Sequence, residues 1–431
     1  MTEVISENPT LTAGTGSSVV VQACQICASG NLESLLFLGY LPPVNQMWPI
    51  GHRPAEQPAY PAELLQCPHC GLVQLGLIVD QQVLFPPEYP YTSGSTAILR
   101  QNFAQMAGEV AGLYPLGKDD LVVDIGSNDG TLLSNFAGNH RVHGIEPTDR
   151  GLQAQDRGIP TTIDFFNHQS AQRVQREVGR ASLITATNVF AHIENVHGIV
   201  EAVLELLAPG GIFLTESHYL GSLIDTVQYD TIYHEHLRYY SLEALQFLFQ
   251  QHGLEIVHAR PIPTHGGSIR VYAAREGVHS VQDSVAQMLQ REQQTGLTGQ
   301  GADGSKGLER FVERVVRSKV ELYRLLSDIR QQGGRVVGIG APSRASTLIN
   351  YVGLDNQLLD AVLEVPGSHK VGKYMPGTLI PVLEEGNLFE TQPDYAMLLS
   401  WHIAGELMPK LREKGFSGQF IIPLPQPRIV S

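Results

Sequence analysis

The chain has 431 residues, enough for two to four domains of about 100–200 residues each. Hydrophobic residues make up 42% of the sequence and charged residues 17%, which predicts globular domains with buried cores rather than a disordered chain. The formal net charge of −14 argues against a general nucleic-acid or anionic-membrane binder, because such proteins present a basic face, but it allows a local basic pocket.

The first 20 residues are polar and low in complexity, and we predict a flexible leader over 1–20. They lack the basic and apolar regions of a secretory signal. No apolar run in the chain reaches the roughly 18 residues of a membrane span. We therefore expect a cytoplasmic enzyme with no nucleic-acid and no membrane partner.

All four cysteines lie in two CxxC pairs that are separated by 39 residues. Four thiolates in this arrangement suit a tetrahedral zinc ion, and a full set of protein ligands leaves no open position for catalysis. The alternatives are four unrelated buried cysteines or a redox-active pair, and the second lacks the βαβ context that it needs. We predict a zinc-binding domain over 21–80 with a structural zinc ion held by Cys24, Cys27, Cys67 and Cys70.

Between residues 95 and 275, short apolar runs alternate with helical patterns. This alternation is typical of βαβ units and therefore of a parallel sheet covered by helices. The pattern of residues 196–209 predicts one of the helices. The predicted buried strands are 121–126, 142–147, 182–190 and 210–217.

The first of these strands runs into a glycine-rich turn, VVDIGSNDGTLL. The spacing of Asp124, Gly126 and Gly130 is that expected of an S-adenosylmethionine loop, and it is not the GxGxxG of a nicotinamide site. Glu146 ends the next strand about 20 residues later, where it could accept both ribose hydroxyls. A Rossmann-type turn without a ligand is the alternative. The further cofactor-contact candidates are Ser127, Asn128, Asp164, Phe165 and Asn188, although a surface loop explains Asp164 and Phe165 equally well.

Residues 229–241, YDTIYHEHLRYYS, concentrate histidine, carboxylate and phenol groups. The segment lacks the i, i+4 histidine pair of a zinc protease, but its side chains suit acid–base chemistry and oxyanion stabilisation. A polar edge of the sheet with hydrogen-bonded core histidines is the alternative. The catalytic candidates are His236, Glu235, Tyr233 and the more distant His192.

A long amphipathic helix is predicted over 307–332, after a glycine-rich linker at 295–307. A second α/β pattern follows, with a helix over 404–415. The predicted strands of this part are 335–341, 358–365, 395–400 and 419–423.

Taken together, these motifs resemble the sugar C-methyltransferases that act on nucleotide-linked 4-keto-deoxysugars. The resemblance covers nearly the whole chain, through CxxC…CxxCGLVQ, then DIGSNDGTLL, YHEHLRYYS and HGGSIRVY, then GAPSRASTLIN and GKYMPGTLIPV. It implies an α/β protein with a small N-terminal zinc-binding segment, a central Rossmann-like methyltransferase domain over 81–294 and a second Rossmann-like domain over 295–431. S-adenosylmethionine and structural zinc are the implied cofactors.

The resemblance also implies a mechanism in which the C3 proton next to the C4 ketone is removed and the enolate attacks the methyl group. His236 then matches the general base, Tyr233, Glu235 and His192 match supporting groups, and the C-terminal domain would bind the nucleotide. One tyrosine of the pair Tyr89 and Tyr91 would lie over the reacting centre. The remaining substrate-binding candidates are His265, Gly266, Ser268, Arg344, Lys373 and Tyr374.

The chain departs from the family in its GAPSRASTLIN segment, where the usual motif is GAPAKGNTLLN. The lysine is absent, and Arg344 is the basic group that would grip the diphosphate, unless it is a solvated charge at a helix start. Two other functions remain open: methylation of oxygen or nitrogen on a related substrate, and a non-catalytic zinc- and nucleotide-binding assembly protein.

Overall fold

The computed structural model describes residues 12–13, 17–52, 56–84, 94, 97–297 and 306–431. Within these ranges, no helix is both long and apolar enough to cross a membrane. Tyr89 and Tyr91 lie outside the described residues, as do most of the predicted leader and part of the predicted linker.

The N-terminal part is a small antiparallel β structure. Strand β2 occupies the last residues of the predicted leader and pairs with β1 and β6 in a three-stranded sheet. Alternate residues of β4 are buried, so one face of this strand packs on the core. The elements are β1 (Thr12–Ala13), β2 (Ser18–Val20), β3 (Glu33–Leu41), β4 (Tyr60–Gln66), β5 (Val73–Leu75), β6 (Leu77–Ile78) and the short helix α1 (Gln81–Leu84).

The central part is built on a seven-stranded sheet. The strands in this part of the chain are β7 (Leu121–Ile125), β8 (Arg141–Ile145), β9 (Thr161–Thr162), β10 (Ala181–Thr187), β11 (Leu207–His218), β12 (Arg238–Tyr239), β13 (Leu254–Ile262) and β14 (Ser268–Arg275), and all of them except β12 belong to this sheet. The four predicted strands fall on β7, β8, β10 and β11. The predicted helix over 196–209 ends earlier, because β11 already begins at Leu207. The helices are α2 (Ala97–Leu113), α3 (Arg150–Asp156), α4 (His168–Glu177), α5 (Val196–Leu206), α6 (Leu220–Asp225), α7 (Leu242–Gln250) and α8 (Asp283–Thr295).

The strand order of this sheet is β13-β14-β11-β10-β7-β8-β9, and only β14 is antiparallel to its neighbours. Every residue of β7 is buried, as expected for a parallel strand with helices on both faces. The order reverses between β7 and β10. The carboxyl ends of strands at such a reversal form the crevice in which open α/β sheets bind ligands.

The C-terminal part carries a second doubly wound sheet, in the order β17-β16-β15-β18-β19-β20, with only β20 antiparallel. The predicted long helix and the predicted strands are confirmed, although β16 is shorter than expected. The elements are α9 (Lys306–Gln331), β15 (Val336–Ile339), α10 (Ser343–Val352), β16 (Val362–Glu364), β17 (Val382–Glu384), α11 (Gly386–Thr391), β18 (Tyr395–Leu398), α12 (Ala404–Glu413), β19 (Gln419–Ile422) and β20 (Arg428–Val430).

One segment, residues 228–239, joins the three parts. It begins with a 3-10 turn, Tyr229–Thr231, in which the Tyr229 ring lies 5.1 Å from the ring of Tyr351 on α10. It ends in β12, which pairs with β5 and so completes a four-stranded sheet in the order β12-β5-β4-β3. The predicted catalytic segment is therefore buried where the N-terminal, central and C-terminal parts meet.

Candidate active site

The glycine-rich turn after β7 requires glycine at two positions. Gly126 has φ +68° and Gly130 has φ +75°, and residues that carry a side chain rarely adopt such positive φ angles. A Cβ atom on Gly126 would lie 3.0 Å from Val189, and one on Gly130 would lie 3.1 Å from Ala154. The turn is thus packed closely against neighbouring side chains, with no room for a side chain at either glycine.

The carboxyl group of Asp124 lies buried at the end of β7 and accepts a hydrogen bond from the Thr185 hydroxyl at 2.6 Å. Burial raises the pKa of Asp124 to about 7, Thr185 opposes this shift, and the charges of Glu146 and Glu216 add to it. A carboxyl group with this pKa changes charge near neutral pH, so a cation placed beside it would strongly favour the ionised form.

The Glu146 carboxylate reaches from the end of β8 over the same turn. It accepts hydrogen bonds from the backbone N–H of Asn128 at 3.0 Å and from the N–H and hydroxyl of Thr148 at 3.0 and 2.6 Å. The hydroxyl of Ser127 is buried and has no hydrogen-bond partner among the described residues. This unused hydroxyl and the carboxyl groups of Asp124 and Glu146 fit the ammonium and ribose groups of S-adenosylmethionine.

The other cofactor-contact candidates lie around this crevice. The N–H of Asp164 donates to the Glu146 carbonyl at 3.2 Å, while its carboxylate pairs with Arg173 at 2.9 Å. The Phe165 side chain is 65% exposed. Asn188 follows β10 with φ +56°, and its N–H donates to the Glu216 carbonyl at 2.8 Å. Their contacts with a cofactor stay a prediction.

His236 lies within a buried group of aromatic and imidazole rings. Its ring centroid is 4.1 Å from that of Tyr233 and 4.9 Å from those of His192 and His218. Its Nδ1 atom lies 2.9 Å from the carbonyl oxygen of Thr231. A carbonyl only accepts hydrogen bonds, so Nδ1 carries the hydrogen and the neutral ring keeps an unprotonated Nε2.

The surroundings keep this group of rings uncharged. Burial is the main reason that the pKa of His236 lies well below its ordinary value, and burial likewise lowers the pKa of His192 to about 4. Burial, with the charge of Glu235, holds the pKa of the Tyr233 phenol well above its ordinary value. At neutral pH the site therefore contains an unprotonated base beside a protonated phenol.

Glu235 is buried but is oriented by the N-terminal part of the chain. Its carboxylate accepts a hydrogen bond from the Asn45 side-chain amide at 2.7 Å. Nδ1 of His236 donates its hydrogen bond to the Thr231 carbonyl and not to Glu235. Of the predicted supporting groups, Tyr233 thus lies against the His236 ring, whereas Glu235 is hydrogen-bonded to the N-terminal part.

The turn at 264–268 brings His265 to the same group. The His265 ring lies 5.8 Å from His218, its backbone has φ +54°, and its buried Nε2 has no partner among the described residues. A Cβ atom on Gly266 would lie 2.5 Å from the Gln228 side chain, so glycine is required there. The Ser268 hydroxyl donates to the Thr264 carbonyl at 3.0 Å and closes the turn.

Arg344 is buried, which corrects the alternative of a solvated charge at a helix start. Its role in binding a diphosphate stays a prediction. Its guanidinium is 6% exposed and forms a two-point ion pair with Asp230 at 2.8 Å. Its third nitrogen lies 3.0 Å from Nδ1 of His402. Because all three nitrogens have partners in a buried pair, gripping a ligand would require breaking that pair.

Lys373 and Tyr374 contact the N-terminal part. The N–H of Tyr374 donates to the Trp48 carbonyl at 2.8 Å, and its hydroxyl accepts from the N–H of Gly51 at 3.2 Å. Lys373 forms an isolated β-bridge with Pro49. These contacts close the junction between the first and last parts of the chain, and a role in substrate binding stays a prediction.

The four cysteine sulfur atoms all lie within 4.8 Å of one another, with Cys24–Cys70 and Cys27–Cys67 distances of 3.4 Å. This cluster fits the tetrahedral thiolate shell of zinc. The Gly71 backbone, at φ +72°, makes the tight turn that follows the second pair. The Ile26 carbonyl in the first CxxC turn lies 2.9 Å from Nε2 of His197 on α5, so this turn is attached to the central part of the chain.

Sequence reasoning missed several side chains of this site. His218 ends β11, so the rule that ligands gather at the carboxyl ends of parallel strands could have singled it out. No local motif identifies the other missed residues, because their hydrogen-bond partners are far away in the sequence. These are Asn45, Gln228, Asp230, Trp401 and His402.

Comparison with known proteins agrees with this architecture. Family models match a zinc binding domain at residues 24–85, a methyltransferase domain at 98–259 and a C-methyltransferase C-terminal domain at 263–425. The C-methyltransferase NovU of Streptomyces niveus is 31% identical over 418 residues, which cover 95% of this chain and 97% of NovU.

Solved structures overlap with about two fifths of the chain. Magnesium protoporphyrin IX methyltransferase of Synechocystis is 13% identical, covering 41% of this chain and 83% of its own, with a TM-score of 0.33. The N-methyltransferase NodS of Bradyrhizobium japonicum is 14% identical, and the match covers 42% of this chain and 89% of NodS, with a TM-score of 0.33. At such scores the fold assignment rests on the strand order described above and not on these structures.

Proposed function

This chain belongs to the S-adenosylmethionine-dependent C-methyltransferases, and from that premise we propose that it methylates C3, next to the ketone, of a nucleotide-linked 4-keto-deoxysugar. The motif resemblance over all three parts of the chain supports this class of substrate. The observation that carries the proposal is the hydrogen bond from His236 Nδ1 to the Thr231 carbonyl, because it leaves Nε2 as a proton acceptor.

Each part of the chain has a role in this proposal. The region 21–80 holds the structural zinc, 81–294 binds the methyl donor, and 295–431 binds the nucleotide near the reversal of strand order between β15 and β18. In the central domain, Asp124 faces the ammonium group of the donor and Glu146 accepts its ribose hydroxyls. S-adenosylmethionine, when bound, supplies an electrophilic methyl group on its sulfonium sulfur. The enzyme is expected to work on this small molecule in the cytoplasm.

Proton removal is assigned to His236. Its Nε2 takes the C3 proton, and the electron pair of the broken C–H bond moves into an enolate whose negative charge lies largely on the C4 oxygen. A base with a lowered pKa is always neutral at physiological pH but is a weak proton acceptor. The enolate oxygen therefore needs a donor, and the protonated phenol of Tyr233 supplies it.

The His236→Asn variant tests this assignment, because asparagine keeps some hydrogen bonding and removes the proton acceptor. We expect turnover to fall roughly 10²–10⁴-fold while S-adenosylmethionine binding stays near normal. In deuterated water without the donor, wild-type enzyme should exchange the C3 proton of a 4-keto sugar, and the variant should not.

The matched control is His140→Asn, since Nδ1 of this exposed histidine also lies 2.9 Å from a carbonyl, that of Gly117. Retention of both exchange and methylation in His236→Asn would remove His236 from the role and leave His192 as the next candidate. Loss of donor binding in that variant would make the group of rings structural. If the methyl group of the product is bonded to oxygen or nitrogen, the proposal of C-methylation is wrong and the enzyme is an O- or N-methyltransferase.

A further inference from the structure

A buried ion pair joins the C-terminal domain to the turn that precedes the base. Arg344, on the first turn of α10, donates from Nε and Nη2 to the two carboxylate oxygens of Asp230, each at 2.8 Å. Arg344 is 6% exposed and Asp230 is 1% exposed. A parallel two-point pair of this kind fixes orientation as well as distance.

The neighbours of the pair satisfy its remaining hydrogen-bonding groups. Arg344 Nη2 also donates to the Gln228 side chain at 2.9 Å, and the Trp401 indole donates to Asp230 at 2.8 Å. The guanidinium lies 5.1 Å from the centre of the Trp401 ring. A buried, fully bonded network of this kind has one arrangement, so a group attached to it is held in place.

The group attached to it is the carbonyl that holds His236. Asp230 is the middle residue of the 3-10 turn, and the next carbonyl along the chain, that of Thr231, accepts from Nδ1 of His236 at 2.9 Å. On the C-terminal side of Thr231, the hydroxyl of Thr347, which lies on α10 like Arg344, donates to the Ile232 carbonyl at 3.4 Å. Helix α10 therefore contacts the chain on both sides of Thr231.

The same pair reaches the second loop of the site through Gln228. The side-chain amide of Gln228 accepts from Arg344 through its oxygen and donates through its nitrogen to the Gly266 carbonyl at 2.7 Å. That carbonyl belongs to the turn that carries His265. One arginine of the C-terminal domain is thus connected both to the segment that carries His236 and to the turn that carries His265.

We propose that Arg344 is a positioning residue for proton removal: its ion pair with Asp230 fixes the Thr231 carbonyl, which holds His236 with Nδ1 protonated and Nε2 directed to the substrate. This role rests on the proposed function of His236 as the base. It gives the C-terminal domain a part in the chemistry that is separate from nucleotide binding.

A second consequence is electrostatic. The groups around His236 are His192, His218, His265, Tyr233, Tyr239 and Arg344. Burial lowers the pKa of His236 most, His192, His265 and Arg344 lower it further, and the Thr231 carbonyl opposes the shift. Removal of the Arg344 charge should therefore raise the pKa of His236.

The test compares Arg344→Met, Arg344→Lys and the control Arg314→Met. Arg314 also reaches from the C-terminal part to central-domain carbonyls, those of Ile224 and Asp225 at 3.0 and 2.8 Å, but these lie outside the turn that holds the base. The probes are thymidine- and uridine-diphosphate 4-keto-6-deoxyglucose in deuterated water without the methyl donor. The measurements are the C3 exchange rate against pH, the donor dissociation constant, and the ¹⁵N chemical shifts of the His236 ring, assigned with His236→Asn.

We expect Arg344→Met to lower the exchange rate about 100-fold, the size of effect that a misplacement of about 1 Å produces, with donor affinity within about twofold of wild type. Its pH–rate profile should move to higher pH. The ¹⁵N chemical shifts of the His236 ring should change from those of a ring protonated at Nδ1 to those of a mixture of the Nδ1-protonated and Nε2-protonated forms. Arg344→Lys should recover part of the rate, since it keeps the charge but not the two-point pair. Arg314→Met should match wild type.

Three outcomes would overturn the proposal: exchange at the wild-type rate in Arg344→Met, an unchanged ¹⁵N signature, or failure of both Arg344 variants to fold while Arg314→Met folds. The last would make the pair a folding element only. Absence of exchange in wild-type enzyme with every probe would count against the proposed function itself, whereas the ¹⁵N signature would still decide whether Arg344 positions His236.

Discussion

The affinity for S-adenosylmethionine should rise with pH through neutrality, and Asp124 should be the cause. Burial raises the pKa of this carboxyl group to about 7, so in the free protein it is mostly uncharged below that pH and mostly charged above it. The methyl donor carries an ammonium group and a sulfonium, and both favour a charged partner. Binding should therefore remove a proton from Asp124 below pH 7 and none well above it.

The size of the effect follows from the fraction of charged Asp124 in the free protein. With a pKa of about 7, this fraction is about 9% at pH 6 and about 76% at pH 7.5. If only the charged form binds the donor, the dissociation constant at pH 6 is about eightfold higher than at pH 7.5, which corresponds to about 1.2 kcal/mol. Calorimetry in buffers of different ionisation enthalpy measures both the affinity and the proton released.

Two variants separate Asp124 from its neighbours. Asp124→Asn should bind more weakly at every pH and lose the pH dependence, because it has no proton to release. Thr185→Val removes the hydroxyl that donates to Asp124 at 2.6 Å, so the midpoint of the pH dependence should move upward. If the affinity of wild-type protein for the donor does not change between pH 6 and 7.5, this reasoning is refuted. If Asp124→Asn keeps the wild-type pH dependence, another carboxyl group is its cause.

Two further changes test the cofactor and metal assignments. Glu146→Ala should weaken donor binding roughly 10- to 150-fold, since it removes about 1.5–3 kcal/mol of charge-assisted hydrogen bonding; an unchanged dissociation constant would place the ribose elsewhere. Metal analysis of protein purified without chelators should give about one zinc per chain, and Cys67→Ser should lower the melting temperature before it alters turnover of the folded fraction, because metal binding stabilises the folded state. Zero metal, or a predominance of iron, would contradict the zinc assignment.

The sequence predicted the parallel sheets because their strands leave a local signal. The run LVVDI of β7 is buried along its whole length, and its apolar character and the glycine turn after it are visible without any tertiary information. The amphipathic pattern of α9 likewise marks its buried face. The N-terminal part was less predictable, since β5 completes its sheet with β12, more than 160 residues away.

The chemistry of the site was only partly predictable. His236 lies in a dense local motif, but its orientation depends on a hydrogen bond to the Thr231 carbonyl. A bond to a backbone group cannot be predicted from residue types, because every residue has a carbonyl. The burial of Arg344 was not predictable, because a basic residue at a helix start is usually solvated or bound to an anion. Its partner Asp230 lies 114 residues earlier, so the buried pair has no signature in either local segment.

The position of segment 228–239 ties the proposed base to all three parts of the chain. Its buried polar groups obtain their partners from all three parts: Glu235 from Asn45, Asp230 from Arg344 and Trp401, and the Leu237 carbonyl from the N–H of Leu75 on β5. A buried charge left without its partner costs about 3–5 kcal/mol, a large fraction of the stability of a domain. The central domain carries the proposed base in its sequence, and we expect it to hold that base in place only when the N-terminal and C-terminal parts are folded against it.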